Sequence, residues 1–290
     1  MNPVPKAAIW MTGAIASFST MAVAGREVSF ALDTFEIMLF RSVVGVIIVA
    51  IAAVAFGTWR QINRQQFSLH FVRNIMHFTG QNLWFYAVTV IPLAQVFALE
   101  FTSPIWVILL SPLLLAERIT LIRAAAALTG FIGVLVVTRP DMAGINTGVI
   151  MAASSAIFFA FTIIFTKRLT RIQSITCILF YLAVLQLGFG LITAGYDGDI
   201  ALPNAETLPW LVLIGVAGLL GHFCITNALA IAPATVVVPI DFARLPVIAI
   251  IGMLAYGEAL DLWVLLGAGI IFAGNYLNIW SETRGSTALK

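Results

Sequence analysis

Charge is what this 290-residue chain has least of. Its 15 Lys and Arg and 13 Asp and Glu make up 10% of the residues, where an ordinary soluble domain carries about 25%. A water-exposed globular surface cannot be covered with so few charges. Cysteine is nearly absent too: Cys177 and Cys224 are the only two, and both fall inside long apolar stretches, so neither a disulfide nor a paired-Cys metal site is expected. There is no HExxH, no GxSxG elbow and no GxxxxGK[ST] phosphate loop. Gly267-x-Gly269 lacks the preceding strand that a dinucleotide site needs. The chain offers no machinery for covalent chemistry, and no cofactor or metal is expected.

What it has is hydrophobicity: 61% of residues are apolar and the mean hydropathy is +1.04. A helix needs about 20 apolar residues to cross ~30 Å of hydrocarbon. Stretches of that kind run over 7–24, 34–56, 68–89, 93–115, 121–138, 147–166, 174–195, 208–230, 235–256 and 262–280, which predicts an all-α integral membrane protein with ten transmembrane helices. The connections between them are too short for a separate ATPase, kinase or DNA-binding module, so a nucleic-acid partner is not expected. Lys6, an apolar run and Ala22-Val23-Ala24 resemble a cleavable signal peptide. Residues 7–26, however, align with 148–167 at the offset described next, which favours a retained first span.

Adding 141 to a position in the first half repeatedly recovers the same residue type in the second. Phe18 pairs with Phe159, Gly80 with Gly221, Ala87 with Ala228, Pro92 with Pro233, Val96 with Val237, Phe101 with Phe242, Glu117 with Glu258 and Gly133 with Gly274. Arg26 falls on Lys167, and Glu100 on Asp241. A constant, gapless offset indicates a duplicated unit, with residues 1–140 forming the first five-helix repeat and 141–290 the second. A repeat with an odd number of spans is inserted upside down relative to its twin.

Orientation follows from the basic residues. With the N-terminus cytoplasmic, the inside segments carry Lys6, Arg60, Arg64, Arg73, Arg118, Arg123, Lys167, Arg168, Arg171, Arg284 and Lys290, and the outside loops only Arg26 and Arg139. Both termini are therefore expected in the cytoplasm of a bacterial cell, with the bundle in the inner membrane. Trp59, Trp210, Trp263 and Trp280 read as interfacial anchors.

Four charges fall within apolar spans: Arg41, Glu100, Asp241 and Arg244. Each costs a few kcal/mol at a helix centre on insertion scales, so such residues face the bundle interior, pair, and mark pathways. Counting depth at 1.5 Å per residue pairs Arg41 with Glu100 in the outer half of the membrane. It pairs Asp241 with Arg244, one turn apart on the ninth span, in the inner half. Such pairs could equally be structural links or substrate- and proton-handling groups. On the third span Asn74, His77, Gln81 and Trp84 recur every three or four residues on one face; on the eighth, His222 and Thr226 do the same, with Asn227 beside them. His77 and His222 could titrate near neutrality, and all of these polar groups could equally bond neighbouring helices. Pro104, Pro112, Pro239 and Pro246 lie in the fourth and ninth spans, close to Glu100 and Asp241, where they would kink the helices.

Two five-span repeats, the segment Phe35-Glu36-Ile37-Met38-Leu39-Phe40-Arg41, and Pro104 through Leu115-Ala116-Glu117-Arg118 followed by Gly130-Phe131-Ile132-Gly133-Val134 resemble the EamA-type domain of the drug/metabolite transporter superfamily. Asn227-Ala228-Leu229 through Gly257-Glu258 to Gly267 resembles the same domain again. The resemblance implies a secondary carrier of small organic metabolites with a central cavity opened alternately to each side. It does not choose a substrate among amino acids, amino-acid derivatives, S-adenosylmethionine and riboflavin. Glu100 and Asp241 depart from the loose family pattern and favour a cationic or zwitterionic solute. The leading expectation is an amino acid or amino-acid derivative, its ammonium near Glu100 and Asp241 and its carboxylate near Arg41 and Arg244. Other candidate contacts are His77, Gln81, Trp84, His222 and Asn227. An intramembrane enzyme using a histidine base, and a passive pore or partner subunit, are the competing classes.

Overall fold

A computed structural model describes residues 3–117, 119–138, 146–196 and 198–257, together with part of 262–280. Expectations resting on Arg118, Arg139, Glu258, Arg284 and Lys290, and on the continuity of the last span, lie outside the described residues. The described residues contain helices and no strands. The helices are α1 (Pro3–Val28), α2 (Thr34–Ala55), α3 (Phe67–Val90), α4 (Leu93–Glu100), α5 (Ser103–Leu115), α6 (Leu121–Thr138), α7 (Thr147–Leu169), α8 (Ile175–Thr193), α9 (Leu208–Ile231), α10 (Ala234–Ile240) and α11 (Arg244–Tyr256). Among the described residues, six segments are long and apolar enough to cross a membrane, counting Ala234–Tyr256 as one.

Short polar residues start the helices. Asp33 accepts from the Glu36 N–H at 2.8 Å while Glu36 accepts from the Asp33 N–H at 2.8 Å, a reciprocal capping box that satisfies two otherwise orphaned donors at the start of α2. Asn146 and Ser174 cap α7 and α8 by accepting from the Val149 and Cys177 amides, each a single bond without the reciprocal partner. All three helix starts are acidic or polar because the backbone there needs an acceptor, whatever the bilayer orientation.

The repeat reappears in the helix boundaries. Shifted by 141, α3 falls on α9 residue for residue (67 to 208, 90 to 231) and α5 on α11 (103 to 244, 115 to 256). Ala116 and Gly257, also 141 apart, both end their helices in the left-handed region, at φ 55° and 65°. Packing obeys the same relation. The extensive α1–α9 contact is matched by α3–α7, α2–α9 by α3–α8, and α4–α11 by α5–α10. Each half thus packs mainly on the other, around an approximate two-fold axis.

Close approach at that axis depends on matched glycines. A Cβ on Gly221 would lie 2.5 Å from the Phe18 ring, and one on Gly80 2.9 Å from Phe158 and 3.1 Å from Phe159. The two Gly–Phe pairs are related by the offset, so one ring from each half presses on a bare backbone of the other. Van der Waals packing and close backbone approach drive association of helices that gain little from hydrophobicity in lipid.

α4–α5 and α10–α11 are each one apolar stretch broken in the middle. Pro104 has no N–H to give the Glu100 carbonyl and Pro246 none to give the Phe242 carbonyl. The chain turns through Phe101 and Thr102 in the first case and a single 3-10 turn, Asp241–Ala243, in the second. Proline-linked interruption of these two spans was expected from the sequence; the breaks fall at Glu100 and Asp241 themselves.

Candidate substrate cavity between the repeats

The two breaks meet at the centre of the bundle. Arg244, the first residue of α11, donates from Nη2 to Glu100 Oε1 at 2.5 Å and to Asp241 Oδ2 at 2.7 Å. Trp84 Nε1 donates to the other Glu100 oxygen at 2.7 Å. The guanidinium also lies 5.4, 5.0 and 5.2 Å from the ring centres of Phe18, Phe97 and Phe101, within cation–π range. One cation thus holds two carboxylates inside an aromatic cage, and the triad carries a formal charge of −1. Asp241 Oδ1 is left without a partner.

This corrects the pairing of Arg41 with Glu100 and the separation of two pairs across the midplane. Depth counting assumes a continuous helix along the membrane normal. α4 and α10 end where the carboxylates stand, so the two broken ends converge on one guanidinium. Arg244 already engages one oxygen of each carboxylate, so an ammonium at this point would share them with the guanidinium.

Beside the triad lies a cavity of about 80 Å³ walled by Phe18, Phe159, Trp84, Phe101, His77 and His222 and including Gln81. Of the nine candidate residues, His77, Gln81, Trp84, Glu100, His222, Asp241 and Arg244 line it. The polar stripe on α3 therefore faces the interior. His77 and His222 meet edge to face, ring centres 4.6 Å apart, although they are not repeat equivalents; position 77 falls on Gly218. Neither His77 nitrogen has a hydrogen-bond partner, and the ring is 1% exposed. Phe18 packs on the His222 ring at 5.3 Å.

The other two candidates lie elsewhere. Asn227 bonds back to the Phe223 carbonyl of its own helix at 2.8 Å and does not line the cavity. Arg41 lies in a smaller neighbouring pocket with Ser42 and Gln186, its only hydrogen bond among the described residues running to Met38 Sδ at 3.6 Å. The sequence reading missed three kinds of residue. The walls Phe18, Phe159 and Phe101 were visible as repeat pairs but were not read as lining. Arg73, placed at the inner end of the third span, is 1% exposed and donates to Thr166 Oγ1 at 3.0 Å and Asn74 Oδ1 at 3.1 Å. Gln186 donates to the Asn74 carbonyl and to Asn74 Oδ1 at 2.9 and 3.1 Å; a lone Gln in an apolar span gave no periodic signal.

A polar, aromatic-walled chamber where two pseudo-symmetric halves meet is the architecture of a multi-pass helical carrier. The EamA-like transporter family matches residues 5–139 and again 146–280, and the chain belongs to that family, within the drug/metabolite transporter superfamily. It is 30% identical over 285 residues to a riboflavin transporter of Vibrio cholerae, covering 96% of this chain and 94% of that one. It is 30% identical over 255 residues to a riboflavin transporter of Brucella anthropi, 87% and 89% covered. An S-adenosylmethionine uptake transporter of Rickettsia prowazekii is 25% identical over 284 residues, 96% and 94% covered. A crystal structure 17% identical in sequence matches with a TM-score of 0.79 over 97% of this chain and 98% of the other, which establishes the shared fold. The protein is a membrane transporter of small metabolites.

Proposed function

We propose that this protein is a ten-span secondary carrier of a planar heteroaromatic metabolite, with riboflavin as the first candidate. The observation that carries the reading is the wall of the central chamber. Phe18, Phe159, Trp84 and Phe101 offer ring faces and edges, and His77, His222 and Gln81 offer hydrogen bonds in the plane of a heterocycle. Offset or edge-to-face contact between aromatic rings adds about 0.5–1.5 kcal/mol per pair beyond area burial. The similarity to riboflavin transporters of Vibrio and Brucella supports the same choice.

Residues 1–140 and 141–290 are the two units, related as inverted repeats, with both termini in the cytoplasm and the bundle in the cell membrane. Small-molecule sites commonly span about 300–1,000 Å³, so the chamber of about 80 Å³ must widen to take a flavin. Parting of the halves at the α4–α5 and α10–α11 breaks supplies that movement, and exposure of the chamber to one face at a time follows from the two-fold relation. A ligand shifts such an equilibrium only by its difference in affinity between states.

A second reading, S-adenosylmethionine, is favoured by one feature: the triad's net negative charge and the unpartnered Asp241 Oδ1 beside aromatic rings suit a sulfonium or ammonium. A free amino acid, the expectation from sequence, has weaker support. It would leave the aromatic walls unused. Counterflow in proteoliposomes of the purified chain, with labelled riboflavin, S-adenosylmethionine and a panel of amino acids, separates these readings. Saturable riboflavin exchange is expected. Exchange of S-adenosylmethionine alone would replace flavin by the second reading, and unsaturable flux of every solute would replace a carrier by a pore.

A further inference from the structure

Two buried arginines have no carboxylate partner among the described residues. Arg41 is 7% exposed and Arg73 1%, and among the described residues their hydrogen bonds run only to neutral atoms: Met38 Sδ for Arg41, Thr166 Oγ1 and Asn74 Oδ1 for Arg73. The two border one polar cluster. Arg41 shares its small pocket with Gln186, Gln186 donates to Asn74, and Asn74 accepts from Arg73. Gln186 Oε1 is itself buried without a partner. An isolated charge in a low-dielectric interior is strongly disfavoured unless paired, and here two of the same sign occupy one network.

The network adjoins the central chamber. A Cβ on Gly218 would lie 2.7 Å from Arg41 Nη2 and 3.3 Å from Met21 Sδ, and Met21 lines the chamber. Gly218 precedes His222 by one helical turn on α9. Only the absence of a side chain at Gly218, the repeat equivalent of His77, lets the guanidinium reach this point. The Arg41 pocket measures about 20 Å³, room for one water-sized group.

We infer that Arg41, backed by Arg73 through Asn74 and Gln186, forms an oxyanion subsite opening off the chamber past Met21. The pocket of about 20 Å³ must widen, as the chamber must, to take a carboxylate or phosphate carried on the substrate or supplied as a free ion. On the flavin reading above, the isoalloxazine lies among the aromatic walls and a 5′-phosphate would reach Arg41. The interior is then polarised, with the Glu100–Arg244–Asp241 triad at −1 on one side of the His77–His222 pair and +2 on the other.

The test pairs two probes in detergent-purified protein, using wild type, Arg41→Gln and Arg41→Lys. The first is inorganic phosphate against an equal ionic strength of chloride, read as the midpoint of thermal unfolding. Phosphate should stabilise wild type and Arg41→Lys but not Arg41→Gln, as expected of a ligand that binds the folded state alone. Equal response of all three, or none in wild type, overturns the subsite. The second probe is binding of riboflavin and riboflavin 5′-phosphate, followed by fluorescence. Arg41→Gln should weaken the phosphorylated form by about tenfold or more, the factor for one lost charge-assisted hydrogen bond, and riboflavin by far less. Equal weakening of both assigns Arg41 a structural role. Failure of both flavins to bind wild type, with phosphate protection intact, would sink the flavin reading and leave the oxyanion subsite standing.

Discussion

Replacing Arg244 by methionine removes the one cation that Glu100 and Asp241 share, and the geometry allows the consequence to be worked out. Each charge pair, at roughly 4 Å between charge centres, is worth about 4 kcal/mol at an effective dielectric constant near 20. Without the guanidinium, two carboxylates face one another with no cation between them. The loss has a ceiling, because an ordinary carboxyl group can be protonated at pH 7 for about 4 kcal/mol, the distance from its reference titration point. A destabilisation of about 3–5 kcal/mol is expected, in line with breaking other buried ion pairs. The ceiling falls as protons become available: at pH 5 the same protonation costs about 1 kcal/mol, so Arg244→Met should regain most of the loss on acidification. Adding Glu100→Gln should restore part of the stability at pH 7 by removing the surplus charge. The assay is reversible unfolding in mixed micelles, followed by circular dichroism, for wild type, both single variants and the double variant at pH 5 and 7. A loss below about 1 kcal/mol, a loss unchanged between the two pH values, or strict additivity in the double variant would refute the shared-cation account.

Three further outcomes follow from the packing. Gly221→Ala should cost about 1–3 kcal/mol through overpacking against Phe18, and Phe18→Leu in the same chain should recover much of it; no recovery in thermal unfolding would place the strain elsewhere. Ala116 occupies a left-handed position at φ 55° whose repeat equivalent is Gly257, so Ala116→Gly should stabilise by up to about 1 kcal/mol, and a lowered unfolding midpoint would contradict that. Lys167 Nζ donates to the carbonyls of Leu229 and Ala232 at 2.6 and 2.7 Å, holding the end of α9; Lys167→Met should cost about 1.5–3 kcal/mol, and hydrogen exchange should rise first at residues 229–235.

Periodicity and composition are local properties, and they carried a large share of this protein. Apolar stretches placed the helices because a bilayer demands length and hydrophobicity of each segment separately. The 141-residue offset anticipated equivalent helices to the residue, since a duplicated sequence with no insertion must repeat its own turns and caps. The face of α3 bearing His77, Gln81 and Trp84 was readable because a helix returns to the same side every three to four residues. Tertiary structure decided which charges meet. Glu100, Asp241 and Arg244 converge because two helices break at the same point and cross there, and no spacing along one helix records a crossing. Arg41 and Arg73, 32 positions apart in sequence, flank one polar cluster around Gln186 on a third helix, where the sequence indicated one pairing for Arg41 and only an inner-side charge in Arg73. Distance along the chain constrains neighbours within a helix, whereas a binding cavity is made where different helices touch.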